Sequence, residues 1–340
     1  MNRKINKIAV IGSGIMGSRI ACHFANIGVE VLLLDIINKE AGETQNNNTQ
    51  LVRNKIVNQA LENTLKSKPS PIYSKKLSSR ISTGNLVDDI AKIKDVDWII
   101  EVIVEKIEIK KELFHNIEKY RKKGTIISSN TSGIPINNMI EGRSDDFCNY
   151  FCGTHFFNPP RYLKLLEIIP SSKTHQELIA FLMYYGEKFL GKTTVLCKDT
   201  PAFIANRIGI AGIASLFKIA SEDAYSIEEI DILTGTIIGR PKSATFRTSD
   251  LVGLDTLTNV AKGVYENCPN DEQRELFHLP AFINKMLSNN LLGDKTKEGF
   301  YKKTIDKNGK RKILSLNLKN LEYQDIKKPK FSIISEAKKE

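Results

Sequence analysis

The chain has 340 residues, long enough for two domains, and its 41% hydrophobic content argues against wholesale disorder. Its net charge of +11 would welcome a polyphosphate ligand, but lysine-biased composition is the simpler account. No recognised motif or aromatic-basic platform accompanies the charge, so nucleic acid is excluded as the expected partner.

No apolar segment with a small-residue cleavage site opens the chain, and no charge-free apolar run approaches ~18 residues. Neither a secretory signal nor a membrane span is expected, which points to the cytoplasm. The five cysteines (Cys22, Cys148, Cys152, Cys197 and Cys268) have no spacing that suggests a disulfide framework or a zinc site. Reduced thiols and no bound metal are expected.

Residues Lys7 to Ile11 form a short apolar run of the kind that makes a buried parallel strand. Gly12-Ser-Gly14-Ile15-Met16-Gly17 follows at once, and Ser18 to Asn26 has helical spacing. Gly28 stops that helix, and a second strand from Val29 to Leu34 ends at Asp35. Gly12 suits the tight turn, Gly14 a close approach to a pyrophosphate, and Gly17 close packing of helix on sheet. Ile15 and Met16 open the helix whose N-terminus would face the phosphates. Asp35, about 20 residues on, would accept the ribose hydroxyls and repel a 2′-phosphate, so NAD is the expected cofactor.

A polar stretch from Ile36 to Lys66 reads as one or two largely solvent-facing helices. Ile81 to Gly84 is a short strand, Val96 to Glu105 a buried strand with its loop, and Glu108 to Tyr120 a helix. Thr125 to Ser128 is the next strand, followed by the loop Ser129-Asn130-Thr131-Ser132-Gly133. This alternation predicts an α/β, Rossmann-type, doubly wound parallel sheet, with ligands at the carboxyl ends of its strands. Glu105, Lys110, Ser132, His155 and Asn158 all fall just after expected strands. Read without further context, Ser132 would cap a helix, and Glu105 with Lys110 would be an exposed ion pair.

His155 and Glu167 stand twelve residues apart in His155-Phe-Phe-Asn158-Pro-Pro-Arg-Tyr-Leu-Lys-Leu-Leu-Glu167. An imidazole held by a carboxylate can take a proton from an alcohol, and a nicotinamide can take the hydrogen of the same carbon with its electron pair. His175 to Leu190 reads as a helix and Lys192 to Cys197 as the last strand. After Pro201 the pattern turns helical, with Phe203 to Ala220, Ile227 to Leu233 and Leu251 to Tyr265. The expected domains are 1–198 (dinucleotide-binding), 199–302 (helical) and 303–340 (a hairpin around Asn308-Gly309, then basic linker).

Ser129-Asn-Thr-Ser132, His155-Phe-Phe-Asn158-Pro159 with Glu167, and Cys197-Lys-Asp-Thr-Pro201-Ala-Phe-Ile-Ala-Asn206-Arg207 resemble the 3-hydroxyacyl-CoA dehydrogenase family over about residues 5 to 302. The resemblance implies a Rossmann-type domain followed by an all-α domain that makes a homodimer interface. It implies NAD-dependent oxidation of (S)-3-hydroxyacyl-CoA to 3-oxoacyl-CoA in fatty-acid β-oxidation. His155 would be the catalytic base and Glu167 its partner, with Ser132 and Asn206 bonding the substrate near its C3 oxygen. Asn158 would lie beside the nicotinamide, Glu105 and Lys110 along the cofactor site, and Lys295 near the cofactor from the C-terminal part. For coenzyme A the candidates are Lys66, Lys68, Lys75 and Lys76 on the polar stretch, with Lys110 and Ser132, although solvated lysines are the simpler reading.

The chain also departs from the family's commonest pattern. Pro201-Ala202-Phe203 stands for Pro-Gly-Phe, and Lys297 for the glycine before Glu298-Gly299-Phe300-Tyr301. Gly239-Arg240-Pro241-Lys242-Ser243-Ala244-Thr245-Phe246 stands where the family often has Pro-Met-Gly-Pro-Phe, ahead of Gly253-Leu254-Asp255. The arginine-proline-lysine variant resembles a subgroup in which an enoyl-CoA hydratase follows on the same chain, so this chain is expected to be a piece of a longer enzyme. Three other readings compete: a short-chain 3-hydroxybutyryl-CoA dehydrogenase working reductively, a free-acid hydroxy dehydrogenase on the same fold, and a silent NAD-binding structural or sensor protein.

Overall fold

The computed structural model describes residues 3–38, 49–223, 225–306 and 309–337. The chain divides into two compact units, Met1–Phe203 and Ile204–Glu340. Among the described residues no helix is long and apolar enough to cross a membrane.

The first unit is built on eight strands. They are β1 (Lys7–Ile11), β2 (Glu30–Asp35), β3 (Ile81–Asn85), β4 (Trp98–Glu101), β5 (Ile126–Ser129), β6 (Phe151–Phe156), β7 (Leu165–Pro170) and β8 (Thr193–Leu196). They form one sheet in the order β3-β2-β1-β4-β5-β6-β7-β8. The first six run parallel, as the strand–helix alternation requires. β6 and β7 are antiparallel, so β7 and β8 run against the rest. Residues on both faces of the sheet are buried, with one apolar cluster on each side. Val10, Phe24 and Trp98 belong to one, and Ile99, Phe114 and Phe151 to the other. This double burial is why the strands read as continuous apolar runs rather than alternating ones.

His155 is therefore inside a strand rather than after one. Lys110 lies in the first turn of the helix Ile107–Tyr120. The polar stretch after β2 holds the helices Gln50–Arg53 and Lys55–Lys66. The latter buries only Val57 and Thr64.

The second unit packs helices around a cluster of phenylalanines. Phe246 and Phe300 have ring centres 4.7 Å apart, and Phe217 meets both at 5.4 Å. The single helix expected over Leu251 to Tyr265 is two, Phe246–Val252 and Leu254–Asn267. Gly253 separates them at φ +97°, a backbone turn that continues no helix. A three-stranded antiparallel sheet completes the unit: β9 (Tyr301–Ile305), β10 (Arg311–Leu316) and β11 (Tyr323–Asp325). The β9–β10 hairpin stands where it was expected, although Asn308 of its turn lies outside the described residues. β10 is tied down by burial of Leu316 and by Ser315 Oγ donating to Glu228 at 2.6 Å. The last ten residues, expected as linker, include the short helix Ser332–Ala337.

Candidate active site

The glycine loop has the geometry its residues predict. Gly12 sits at φ +103°, and a Cβ there would stand 2.5 Å from the Val102 carbonyl oxygen. A Cβ on Gly17 would stand 1.8 Å from the Gly12 carbonyl oxygen, so helix and loop can pack only on glycine. Nothing lies within 4 Å of a Cβ on Gly14, which leaves the backbone open to a pyrophosphate. Ile15 begins the helix Ile15–Asn26 and is largely exposed. Met16 packs partly against the core.

Asp35 ends β2 and accepts hydrogen bonds from Ser13 N (2.6 Å) and Ser13 Oγ (2.5 Å). The carboxylate is thus fixed above the loop, in the position that suits ribose hydroxyls. An open glycine cradle and an oriented acid together fit NAD. Ser13 is a site residue the sequence reading missed.

Next to this loop β4 and β5 carry a buried polar network. Lys110 Nζ lies 2.6 Å from Glu101 and 3.2 Å from Glu105, with its side chain 1% exposed. The reading of Lys110 as half of an exposed pair is thereby corrected: the helix start turns inward over the sheet end. Glu101 is fully buried and also accepts from Ser129 Oγ (2.5 Å) and Ile103 N (2.7 Å). Burial raises its carboxyl above the ordinary range, and Lys110 opposes the shift. Sequence reasoning did not single out Glu101; its signal was an acid ending the apolar run Trp98-Ile-Ile-Glu101. Glu105 turns the other way and accepts from Thr131 Oγ1 (2.9 Å) and Ser132 N (2.6 Å).

The loop after β5 is held from several sides. Thr131 Oγ1 accepts from Gly133 N and Ile134 N, and Asp199 accepts from Ile136 N and Asn137 N. Asp199 thereby supplies the helix capping expected of Ser132, and Thr131 closes the turn ahead of that helix. Ser132 Oγ instead lies 3.2 Å from His155 Nε2.

The antiparallel pairing sets His155 directly opposite Glu167. Their side chains share one face of the sheet, and His155 Nδ1 lies 2.7 Å from Glu167 Oε2. The histidine side chain is 5% exposed and the glutamate 0%. The Phe157 and Phe203 rings lie 4.4 Å and 5.8 Å from the imidazole and confine it. A carboxylate on Nδ1 fixes the tautomer, so Nε2 is the nitrogen with a free lone pair.

Asn158 lies in the β6–β7 connection and accepts from Arg19 Nη1 at 2.7 Å. The other guanidinium nitrogen of Arg19 reaches Ser67 Oγ at 3.5 Å. Arg161 Nη1 donates to the Ser70 carbonyl at 2.7 Å. The connection is therefore docked on the turn that follows Lys66 and carries Lys68. Lys66, Lys68, Lys75 and Lys76 are all exposed, and Lys66 is paired with Glu62 on its own helix. Lys192, unremarked in the sequence, is buried beneath the connection and donates to the carbonyls of Pro160 and Leu163. Burial pulls its pKa down to about 8.

The two remaining site residues belong to the second unit. Asn206 is on the first turn of the helix Ala205–Glu222, and Lys295 is paired with Asp255.

Residues 7–200 match the model of the 3-hydroxyacyl-CoA dehydrogenase NAD-binding domain, and residues 203–303 match that family's C-terminal domain. The chain belongs to the 3-hydroxyacyl-CoA dehydrogenase family. Its expected cofactor, NAD, and its Rossmann-type and helical architecture are those of that family. A probable 3-hydroxyacyl-CoA dehydrogenase of Bacillus subtilis is 48% identical over 99% of this chain, and the chain spans 43% of that relative's length. A probable 3-hydroxyacyl-CoA dehydrogenase of Deinococcus radiodurans is 45% identical over 89% of this chain and 84% of its own. Among solved structures, the (S)-3-hydroxybutyryl-CoA dehydrogenase of Ralstonia eutropha superposes with a TM-score of 0.70 at 26% identity. The match covers 87% of this chain and 98% of that one.

Proposed function

We propose that the chain carries out NAD-dependent oxidation of (S)-3-hydroxyacyl-CoA to 3-oxoacyl-CoA, the hydroxy-to-keto step of fatty-acid β-oxidation. The observation that carries this reading is the buried His155–Glu167 pair, whose outer nitrogen faces Ser132 at the carboxyl end of the sheet. Bound NAD supplies the two-electron acceptor of the reaction.

His155 Nε2 takes the proton of the C3 hydroxyl as the C3–H bond breaks, leaving a C3 carbonyl. Glu167 stabilises the imidazolium that results, without itself taking the proton. Ser132 Oγ orients the C3 oxygen, and a donor aimed at developing charge is typically worth about 3 kcal/mol. Glu105, accepting from Ser132 N and bridged by Lys110 to Glu101, sets the backbone that carries Ser132. In the reverse direction His155 is the acid that protonates a 3-keto oxygen. The roles of Asn206 and Lys295 rest on the family resemblance alone. Exposed Lys66, which ends its helix, and Lys68, on the turn that Arg19 joins to Asn158, support a place there for the phosphates of coenzyme A.

The same reading includes a homodimer, a cytoplasmic setting and a hydratase domain on a longer chain. The last draws support from the remaining length of the Bacillus relative. The likeness to a 3-hydroxybutyryl-CoA dehydrogenase favours a second reading, reduction of short-chain 3-oxoacyl-CoA.

The test is NADH consumption with acetoacetyl-CoA, then with 3-oxoacyl-CoAs of increasing length. Turnover that His155→Ala lowers by ~100-fold or more, with NAD binding kept, supports the reading. Cofactor binding without turnover in the parent chain would instead make it a silent NAD-binding protein.

A further inference from the structure

A cavity of about 930 Å³ opens on the second unit, and the reaction proposed above does not use it. Its size lies in the range of ligand sites, ~300–1,000 Å³. Four cationic side chains line it: Lys242, Arg247, Lys297 and Lys303. Three aliphatic ones come from separate segments: Leu251 on a helix, Ile313 on β10 and Ile326 beyond β11. They are 55%, 47% and 37% exposed, so apolar surface lies open at the cavity.

The two acids at the cavity wall are already satisfied. Arg247 holds Asp294 in a two-point pair at 2.6 and 2.7 Å. Asp231 accepts from the backbone N–H of Thr245, Phe246 and Arg247 and from the Tyr301 hydroxyl. Among the described residues Lys242 and Lys297 have no ion-pair partner. Both come from loops with left-handed backbone at a residue with a side chain, Lys297 itself at φ +65° and Ala244 near Lys242 at φ +49°. These are also two places where the chain departs from the family's commonest text. Each departure brings a lysine to the same cavity.

We propose that this cavity binds an anionic amphiphile. Its aliphatic chain lies on Leu251, Ile313 and Ile326, and its phosphate or carboxylate head is held by Lys242 and Lys297. A phosphate head would come from a phosphorylated or coenzyme-linked lipid, a carboxylate head from a free fatty acid. The inference does not depend on the reaction assigned to His155.

Calorimetric titration tests it, using dodecyl phosphate, dodecanoate and neutral dodecanol. The whole chain is saturated with NAD and acetoacetyl-CoA, an unreactive pairing that keeps the reaction site filled. One or both anions should bind saturably, and the tighter of them identifies the head group. Dodecanol should bind at least about tenfold more weakly, a difference calorimetry resolves. The double variant Lys242→Ser/Lys297→Gly should weaken anion binding at least about tenfold, with turnover within about twofold of the parent. Its melting temperature should be no lower, because glycine relieves the backbone at 297. Should the pair of changes prevent folding, Lys303→Glu reverses one wall charge and should weaken the anions in the same sense. The proposal fails if neither anion saturates, if dodecanol binds equally well, or if the folded variants bind as the parent does. It also fails if Leu251→Asp converts a dimer to a monomer in sedimentation, for the occupant is then a second copy of this chain.

Discussion

His155 and Glu167 are held 2.7 Å apart by sheet register, not by a loop: they are the facing residues of two antiparallel strands. A slip of one residue would turn one of them to the opposite face and break the pair. The hydrogen bond therefore holds as long as the sheet does. Glu167→Gln keeps an acceptor for the imidazole Nδ1–H but removes the charge that stabilises the imidazolium. The expected loss in kcat is ~100-fold, within the range for impaired general acid–base catalysis. Glu167→Ala, which also frees the ring to rotate, should lose more. NAD affinity should stay within about twofold in both. Steady-state rates with acetoacetyl-CoA and fluorescence titration of NADH read the two quantities, and a near-normal kcat in Glu167→Gln would contradict the assignment.

Lys110 and Glu101 form a fully buried ion pair, so removing one partner strands a charge in the interior. Lys110→Met should cost ~3–5 kcal/mol of stability. The double variant Glu101→Leu/Lys110→Met should recover most of that, because neither charge is then buried alone. Both variants should turn over slowly, since Glu105 loses its cation and with it the anchor of Ser132. Urea denaturation with a double-mutant cycle measures the coupling. A loss below about 1 kcal/mol in Lys110→Met would mean water reaches the pair.

His23 gives the fold a dependence on pH. Burial, reinforced by nearby Lys192, lowers its pKa from 6.5 to about 4, against the pull of the Leu190 carbonyl. The unfolded chain therefore takes up a proton before the folded one does. The stability from neutral His23 is complete above pH 6.5 and is lost as pH falls toward 4. Within that window the loss is at most about 1.4 kcal/mol per pH unit. His23→Gln should flatten the dependence between pH 6.5 and 4.5, measured as the difference between the two urea midpoints. Parallel curves for parent and variant would rule this linkage out.

Much of the site was legible because its elements are local in sequence. The glycine loop, Asp35 and the strand–helix alternation are each set by short-range pattern, and the structure places them accordingly. The His155–Glu167 contact was read from chemistry and resemblance; what makes it is the reversal of β7 against β6, and no local pattern marked that reversal. Glu101, Arg19 and Lys192 were missed for a related reason. Each acts through a partner that the fold brings close: Lys110 from the next helix, Asn158 from 139 residues on, and the Pro160 carbonyl from the β6–β7 connection. The expected helix over 251–265 failed at one residue, because apolar periodicity runs straight through Gly253 while its backbone does not.

Three departures from the family's commonest text share one backbone property. Ala202 and Lys297 stand where glycine is usual in the family, and Ala244 lies in the segment that replaces Pro-Met-Gly-Pro-Phe. All three have positive φ, at +62°, +65° and +49°. A left-handed residue with a Cβ costs roughly 1–2 kcal/mol, and glycine's extra freedom in the unfolded chain returns ~0.4–1 kcal/mol of that. Lys297 is exposed, so Lys297→Gly should gain ~0.5–1 kcal/mol. Ala202 and Ala244 are 5% and 7% exposed, and each buries a methyl worth ~0.8 kcal/mol. For these two the terms cancel, and Ala202→Gly or Ala244→Gly should leave stability within about 0.5 kcal/mol of the parent. The order of the three urea midpoints is the measurement. A gain at Ala202 or Ala244 that matches the one at Lys297 would show that burial of those methyls contributes nothing.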